Sequence, residues 1–276
     1  MLVPQRYGRL VTRLIIAGLL LSAGNMVRAE AANHNSGHLK TQCNDWATID
    51  LGGYLLNNDV WGKRGLTGYS QCIYEIPGRK ESEGGFGWTW DWPRAFDGVK
   101  SYPSVFFGRD LWSHQATTTA LPKAISQLRH IYVNYKIKST HTGAVNLLLE
   151  SWITRNPSPG HRDRLGELAI QLYQIDWPGQ EGKYIEDVKI GGVDFAFYLS
   201  KTTHAPGDPD RWTYYGFVHK PPTILKARLD IMQFVNYLVR KGYVDAGSYI
   251  ATVELGNEID HGEGRTEVES YSVSVH

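Results

Sequence analysis

The sequence has few cysteines, no excess of charge and only one long apolar run, and each shortage excludes a class of protein. Cys43 and Cys72 are the only cysteines among 276 residues, and they do not form a CxxC pair. Cysteine-based metal sites need more thiolates at closer spacing, so no metal or other cofactor is expected. The net charge of +1 argues against nucleic acid or an anionic membrane as the partner.

The first residues have the composition of a secretory signal peptide. A start containing three arginines is followed by the apolar run LIIAGLLLSAG, from Leu14 to Gly24, and by small residues at Ala29 and Ala31. The run is too short to span a bilayer, and no second apolar run of membrane length follows. We therefore expect residues 1–31 to be removed and residues 32–276 to form a single extracellular or periplasmic domain.

Removal of the signal peptide changes the net charge, and export to an oxidising compartment favours a disulfide between the two cysteines. The leader holds four arginines and one glutamate of the 29 basic and 28 acidic residues, which leaves 25 basic and 27 acidic residues, a net charge of −2. Such a chain suits a neutral polymer better than a polyanion. In an exported protein an isolated cysteine pair predicts a disulfide, here between Cys43 and Cys72.

Short runs of alternating apolar and polar residues dominate the remaining sequence. Their spacing, with Gly, Pro, Asn and Asp between them, predicts an all-β sandwich or barrel. The candidate strands are residues 104–108, 129–139, 145–154, 166–175, 184–200, 213–219, 249–256 and 267–275.

One segment, residues 223–243, has a helical period instead. Its apolar residues recur at steps of three and four, and the basic pair Arg240 and Lys241 precedes Gly242, as at many helix ends. We expect one amphipathic helix on the back of the β structure. The apolar positions that define the period are Leu225, Leu229, Met232, Val235, Leu238 and Val239.

Three predicted strands each carry a carboxylate on one face. In GELAIQLYQI, Glu167 alternates with apolar residues that must face a core, and in VNLLLESWIT, Glu150 and Trp152 share a face. In VELGNEIDHGEG, Glu254 and Glu258 share a face. Each acid alone suits a solvated edge. Three such strands together favour a catalytic cleft lined by carboxylates.

These stretches, in this order, resemble glycoside hydrolase family 12, the β-jelly-roll endoglucanases and xyloglucanases. The resemblance covers nearly all of residues 32–276 and implies two curved antiparallel sheets with the helix packed on the convex side. Its six blocks are CNDWATIDLGGYLLNNDVWG followed by Cys72, GFGWTWDWP, VKSYPSVFFG, VNLLLESWIT, GELAIQLYQ and VELGNEIDHGEG.

The resemblance implies a role for each carboxylate. Glu167 falls on the nucleophile and Glu258 on the acid/base. Glu150 falls on the acidic residue that assists the nucleophile, which implies a hydrogen bond between Glu150 and Glu167. Trp61 falls on the tryptophan that contacts substrate. A retaining glycosidase needs this pair of carboxyl groups on either side of the scissile bond.

Further substrate contacts are expected on the same strands and on the N-terminal loop. The paired residues Asn58 and Asp59 precede the substrate-contacting tryptophan, and Trp152 and Gln171 share faces with catalytic carboxylates. Glu254 is interpreted either as a hydrogen-bonding residue of the cleft or as a solvated strand residue, and the sequence does not separate the two.

Four positions depart from the family pattern. Ala169 and Gln171 replace a methionine and a tryptophan after the nucleophile, Glu150 replaces an aspartate, and Asp59 replaces an asparagine. None removes a catalytic carboxylate, so they bear on rate and substrate preference. A wider cleft at Ala169 and Gln171 favours branched xyloglucan.

The expected function is therefore a secreted, monomeric, retaining endo-β-1,4-glucanase. Its partner would be a β-glucan of plant cell walls, such as cellulose-like, mixed-linkage or xyloglucan chains. Two alternatives stay open: a non-hydrolytic carbohydrate-binding or decoy protein on the same fold, and a transglycosylase. The retained pair of acids argues against the first.

Overall fold

The computed structural model describes residues 40–76, 85–201, 211–220 and 223–276. The predicted signal peptide, residues 1–31, lies outside the described residues. No described helix is long and apolar enough to cross a membrane.

The described part contains one α-helix, α1 (Ile231–Arg240), and the strands β1 (Thr41–Gln42), β2 (Thr48–Asp50), β3 (Leu55–Asn57), β4 (Ser70–Glu75), β5 (Phe86–Trp92), β6 (Ser104–Gly108), β7 (Lys123–Ala124), β8 (Ile131–His141), β9 (Ala144–Thr154), β10 (Arg164–Ile175), β11 (Lys183–Ile190), β12 (Val193–Lys201), β13 (Thr213–His219), β14 (Lys226–Asp230), β15 (Tyr249–Ile250), β16 (Thr252–Gly256) and β17 (Ile259–Val275).

The strands form two sheets that share β17. Sheet A has the order β1-β4-β5-β17-β8-β14. Sheet B has the order β2-β3-β6-β16-β9-β10-β13-β12-β11, and β15 joins β9 to β7. Neighbouring strands are antiparallel except β10 and β13, which run parallel. The first residues of β17 pair with β9, so this long strand passes from sheet B into sheet A.

Sheet B buries one face against sheet A, and strand β9 at its centre is buried on both faces. Leu149 of β9, Ile170 of β10 and Leu255 of β16 point into the same core as Trp88 and Val133 of sheet A. This follows from the period of two, since the alternate residues of these strands are apolar. The other face of sheet B carries Glu150, Glu167 and Glu254, and we call it the carboxylate face.

The predicted helix is confirmed, but it begins later than the sequence predicts. Residues Lys226–Asp230 form β14 at the edge of sheet A, and the helix begins only at Ile231. The Asp230 carboxylate accepts a hydrogen bond from the N–H of Met232, which caps the first turn. Leu225 and Leu229 therefore belong to the strand region, where their spacing matched a helical period by coincidence.

The helix packs on the face of sheet B that lies opposite to the carboxylates. Phe234 contacts Phe195 of β12 and Phe217 of β13 edge to face, with ring centroids 5.1 Å apart in both pairs. Phe217 pairs in register with Ile170, which points into the core. The helix thus supports the back of the sheet that carries the candidate site.

The long strand predicted at residues 184–200 is a hairpin. It breaks at Gly191 and Gly192, whose φ angles of 61° and 84° both lie in the left-handed region. A two-residue turn with positive φ at both positions matches the right-handed twist of paired strands. The prediction missed this turn because the flanking residues continue to alternate.

The predicted disulfide is confirmed between Cys43, just after β1, and Cys72 in β4. It fastens the segment that leads to β2 and β3. In that segment the N–H of Trp46 donates to the carbonyl of Asn58 at 3.0 Å. The disulfide therefore supports the loop that leads to Trp61.

Candidate active site

Three carboxylates lie together at the centre of the carboxylate face. Glu150 on β9 is directly opposite Glu254 on β16, in register. Glu150 is also opposite Ala169 on β10, so Glu167, two residues earlier, is its diagonal neighbour. Diagonal neighbours on a sheet have backbones roughly 7–8 Å apart, which long side chains can bridge. The three glutamates therefore form one cluster across three adjacent strands.

The cluster contains like charges without a basic residue opposite them in the sheet register. Burial, followed by the charges of Glu254 and Glu167, raises the pKa of Glu150 well above its usual range. Burial also raises the pKa of Glu254, and the neighbouring charge of Asp110 adds to that rise. Like charges directly opposite each other destabilise a sheet. A fold that keeps them there is consistent with a chemical role.

Glu167 is held by a residue that the sequence did not predict. The indole N–H of Trp212, just before β13, donates a hydrogen bond of 2.8 Å to Oε2 of Glu167. Burial and the charges of Glu181 and Glu258 raise the pKa of Glu167 to about 8, although the Trp212 bond and the guanidinium of Arg164 lower it. These last two groups favour the ionised form, which is the form that a nucleophile needs.

Glu258 lies in the short break between β16 and β17, although the sequence predicts it within a continuous strand. Its Oε2 accepts a 2.6 Å hydrogen bond from the side-chain amide of Asn146, and its backbone N–H donates to the Asn146 Oδ1 at 3.2 Å. Burial raises the pKa of Glu258 to about 7, although the Asn146 bond lowers it. A carboxyl group with that pKa keeps its proton at mildly acidic pH, as a general acid must.

Glu150 was predicted to form a hydrogen bond with Glu167. The relation that the structure shows is electrostatic, because the charge of Glu167 raises the pKa of Glu150. The Glu150 side chain is 7% exposed. Its burial beside Glu167 is consistent with assistance to that residue.

Two tyrosines fill the space that the sequence assigned to sugar. Ala169 is fully buried and packs with Tyr102 and Tyr214. Gln171 is 3% exposed and its amide donates to the Tyr214 hydroxyl at 3.0 Å. A Cβ on Gly256 would lie 2.8 Å from the Tyr102 ring. The expectations of a wider cleft at Ala169 and of direct substrate contact by Gln171 are thus corrected.

The N-terminal loop presents Trp61 and buries one of the two residues before it. Trp61 is 56% exposed, and its N–H donates to Asp59 Oδ1 at 2.7 Å. Burial raises the pKa of Asp59 to about 7, and the charge of Asp110 adds to the rise. Asn58 is fully buried, and its amide donates to the carbonyls of Asn44 and Gln71. Asn58 therefore shapes the loop, which corrects the prediction that it contacts substrate.

Trp152 is also buried, but it belongs to a cluster that reaches the surface. Its ring meets those of Trp112 and Trp212 edge to face, with centroids 5.5 and 5.7 Å away. Arg164 lies against this cluster, 4.2 Å from the Trp212 ring. Trp112, at 53% exposure, is its exposed member. Trp152 thus supports the ring that faces solvent and is not itself a platform.

The sequence reasoning missed Asn146, Trp212 and Arg164. Asn146 shares the face of Glu150 by the period of two, so alternation was the signal for it. Trp212 is 45 residues from Glu167 in sequence, and only the parallel pairing of β10 with β13 brings them together. No local pattern marks that contact.

Comparison with known proteins agrees with this geometry. The sequence profile of Glycosyl hydrolase family 12 matches residues 52–276. The chain belongs to this family. As a family 12 protein it is a glycoside hydrolase.

Relatives match over most of their length. The chain is 29% identical over 274 residues to "Endoglucanase S" from Pectobacterium parmentieri, covering 99% of this chain and 97% of the relative. It is 27% identical over 237 residues to "Xyloglucan-specific endo-beta-1,4-glucanase A" from Emericella nidulans, covering 84% and 90%. A solved family 12 xyloglucanase from Bacillus licheniformis superposes with a TM-score of 0.77 at 24% identity, covering 86% of this chain and all of that one. The last comparison confirms the jelly-roll fold.

Proposed function

We propose that this family 12 protein is a secreted, retaining endo-β-1,4-glucanase, with Glu167 as nucleophile and Glu258 as acid/base. The observation that carries the proposal is the unequal support of the two groups on one face. Glu167 has the Trp212 N–H and the Arg164 charge beside it, which favour a carboxylate. Glu258 has only the neutral amide of Asn146 as its side-chain partner. Burial raises the pKa of both acids, to about 8 for Glu167 and about 7 for Glu258, so their partners, and not the size of the shift, distinguish the two roles. Retention needs one ionised and one protonated carboxyl group.

In the first step, the Glu167 carboxylate attacks the anomeric carbon of a bound glucosyl residue. The bond from that carbon to the glycosidic oxygen breaks, and Glu258 gives its proton to the leaving oxygen. The products are a glucosyl ester on Glu167 and a free chain with a hydroxyl end.

In the second step, the loss of charge on Glu167 removes a repulsion from Glu258, which has become a carboxylate. Glu258 takes a proton from water, and the water oxygen attacks the anomeric carbon and releases Glu167. Two displacements at one carbon return the original anomeric configuration.

The charge and the aromatic surface support a neutral polysaccharide as substrate. Asp59 and Asp110 lie near the glutamates, and the negative charge of Asp110 raises the pKa of Asp59 and of Glu254, so a further anionic group on the substrate would be disfavoured there. Half of the six exposed large apolar side chains in the described part of the chain are tryptophans: Trp46, Trp61 and Trp112. Flat, apolar faces of this kind suit the faces of glucose rings.

The test is release of reducing ends from carboxymethylcellulose, mixed-linkage glucan and xyloglucan. Glu167→Gln and Glu258→Gln remove a nucleophile and a proton donor, and each is expected to lower turnover by about 10² to 10⁴-fold. Glu263→Gln, at an exposed carboxyl group five residues beyond Glu258, is the matched control and should leave turnover unchanged.

Wild-type turnover in either Glu167→Gln or Glu258→Gln would remove that residue from the mechanism. No turnover by the wild type on any of the three glucans would overturn the proposed function. The ranking of the three substrates decides between cellulose-like and xyloglucan chains. Export is tested separately, by the expected loss of residues 1–31 from protein recovered outside the cytoplasm.

A further inference from the structure

Trp112 is an exposed aromatic residue on a loop that is tightly fastened to the fold. It follows β6, and 53% of its surface is open to solvent. Asp110 Oδ1 accepts hydrogen bonds of 2.7 Å from the N–H groups of both Trp112 and Ser113. The intervening Leu111 is fully buried. The exposure of Trp112 is therefore a fixed feature of the loop.

The contacts of Trp112 with the protein leave about half of its surface open. The guanidinium of Arg164 lies over the ring, 5.2 Å from its centroid, and the edge of Trp152 approaches to 5.5 Å. Arg164 is itself 6% exposed, and its Nε donates to the carbonyl of His161 at 2.6 Å. A buried, anchored cation thus supports the ring from the protein side.

Trp112 is continuous with the candidate active site. Trp152 contacts Trp112 on one side and Trp212 on the other, and Trp212 donates a hydrogen bond to Glu167. Two ring-to-ring contacts therefore separate the exposed ring from the residue that holds the nucleophile.

Trp61 and Trp112 lie at opposite ends of β6. The loop of Trp61 is joined to the segment that enters β6, since the N–H of Tyr102 donates to the carbonyl of Asp59. Trp112 follows the other end of the strand. Five residues of strand span about 16 Å, enough for several linked sugar rings.

We propose that Trp112 is an outer binding subsite that stacks on a glucosyl residue of the bound β-glucan chain, several sugars from the bond that is cleaved. The occupant is a neutral sugar because the face of an indole ring is apolar, and the buried cation Arg164 is held on the protein side of the ring. This inference rests on the proposed glucanase function and adds a second platform to that of Trp61.

The test compares long and short substrates in Trp112→Ala and Trp112→Phe. Trp112→Ala is expected to raise KM for a soluble β-glucan polymer about fivefold or more, as the loss of one aromatic contact predicts. Its kcat/KM on a short aryl cellobioside, which does not reach Trp112, should stay within twofold of wild type. Trp112→Phe keeps a flat ring and should restore most of the affinity.

Tyr132→Ala is the matched control. Tyr132 on β8 of sheet A is also partly exposed and also has a cation over its ring, Arg228 at 4.0 Å. It is far from the carboxylate face in the strand order, so its removal should leave KM for polymer unchanged. Binding of the polymer to Glu167→Gln with and without Trp112→Ala, measured by calorimetry, gives the same comparison without turnover.

Unchanged KM and unchanged binding of polymer in Trp112→Ala, with an active wild type, would overturn the subsite and leave the proposed function standing. An equal loss of kcat/KM on short and long substrates would also overturn it, since Trp112 would then act only through the packing of Trp152 and Trp212. A wild type that neither binds nor cleaves any β-glucan would overturn both.

Discussion

Glu258 and Asp260 are two residues apart, yet their carboxyl groups are shifted in opposite directions. Burial raises the pKa of Glu258 to about 7. Burial raises the pKa of Asp260 too, but hydrogen bonds from Lys100, the N–H of Gly98 and His261 outweigh that effect and lower it. Burial alone therefore does not decide the direction of the pKa shift.

The group that pairs with each carboxyl group determines the direction of its pKa shift. The ammonium group of Lys100 is fully buried and lies 2.7 Å from Asp260 Oδ1, so that pair is charged and structural. Glu258 has a neutral partner, the Asn146 amide, and like-charged neighbours. A buried acid with a cation holds the fold together, whereas a buried acid without one can hold and release a proton near neutral pH.

Lys100→Met would remove the cation that pairs with Asp260. Asp260 would then be a buried acid without a cationic partner, as Glu258 is. Removing one member of a buried ion pair leaves an uncompensated charge, so we expect the free energy of unfolding to fall by about 3–5 kcal/mol. Lys189→Met is the control, because both members of its pair with Asp194 are exposed and the pair should contribute less than about 1 kcal/mol. Equal losses in the two variants, measured by urea unfolding, would contradict this account of Asp260.

The pH dependence of stability gives a second measure of the same pair. Because the folded-state pKa of Asp260 is lowered, its contribution is present above the unfolded value of about 3.9 and is lost as pH falls below it. In Lys100→Met the acid should favour its neutral form, so this acid-dependent loss should disappear.

Trp212→Phe tests whether the hydrogen-bond partner of Glu167, the proposed nucleophile, sets the charge state of that carboxyl group. It keeps an aromatic ring but removes the hydrogen bond to Glu167, which is worth about 1.5–3 kcal/mol for a charged acceptor. We expect kcat/KM to fall about 10- to 100-fold. The pKa of Glu167 should rise, which moves the acidic limb of the pH profile to higher pH because the nucleophile must be ionised. Trp61→Phe, with no such bond, should leave that limb in place, and an unmoved limb in Trp212→Phe would refute the role of the indole.

Asn146→Ala tests the neutral partner of Glu258 and should have the smallest effect. The Asn146 amide lowers the pKa of Glu258, so its loss should raise that pKa and move the basic limb of kcat/KM upward by about one pH unit. Asn134→Ala removes a comparable amide that donates to Ser272 in sheet A, and it should not shift the limb. A downward shift in Asn146→Ala would mean that the amide favours the protonated acid.

The sequence was sufficient for the elements that depend on local pattern. Alternation identified the buried set around Leu168 and Ile170 and the strands that carry Glu150 and Glu167, because a half-buried strand repeats every two residues. It failed at Leu225 and Leu229, where a strand next to a helix gave a false helical period. Alternation also predicted one strand where the structure has two, β11 and β12, because Gly191 and Gly192 interrupt neither the alternation nor the hydropathy of the segment.

Contacts between residues that are far apart in the sequence could not be predicted from alternation. The sequence analysis predicts room for a sugar at Ala169, but Tyr102, just before β6, and Tyr214 of β13 fill that space. The donor to Glu167, Trp212, is likewise far from it in the sequence. A single sequence gives faces and residue types, while the register between strands determines which side chains fill a gap or hold a catalytic group.

The most direct test of the central claim is to trap the sugar on its nucleophile. An activated 2-deoxy-2-fluoro cellobioside slows the second displacement, and mass spectrometry of the digested protein then locates the ester. We predict one cellobiosyl adduct, on the peptide that contains Glu167, and none in Glu167→Gln. An adduct on Glu150, Glu254 or Glu258, or no adduct together with inverted products, would contradict the account.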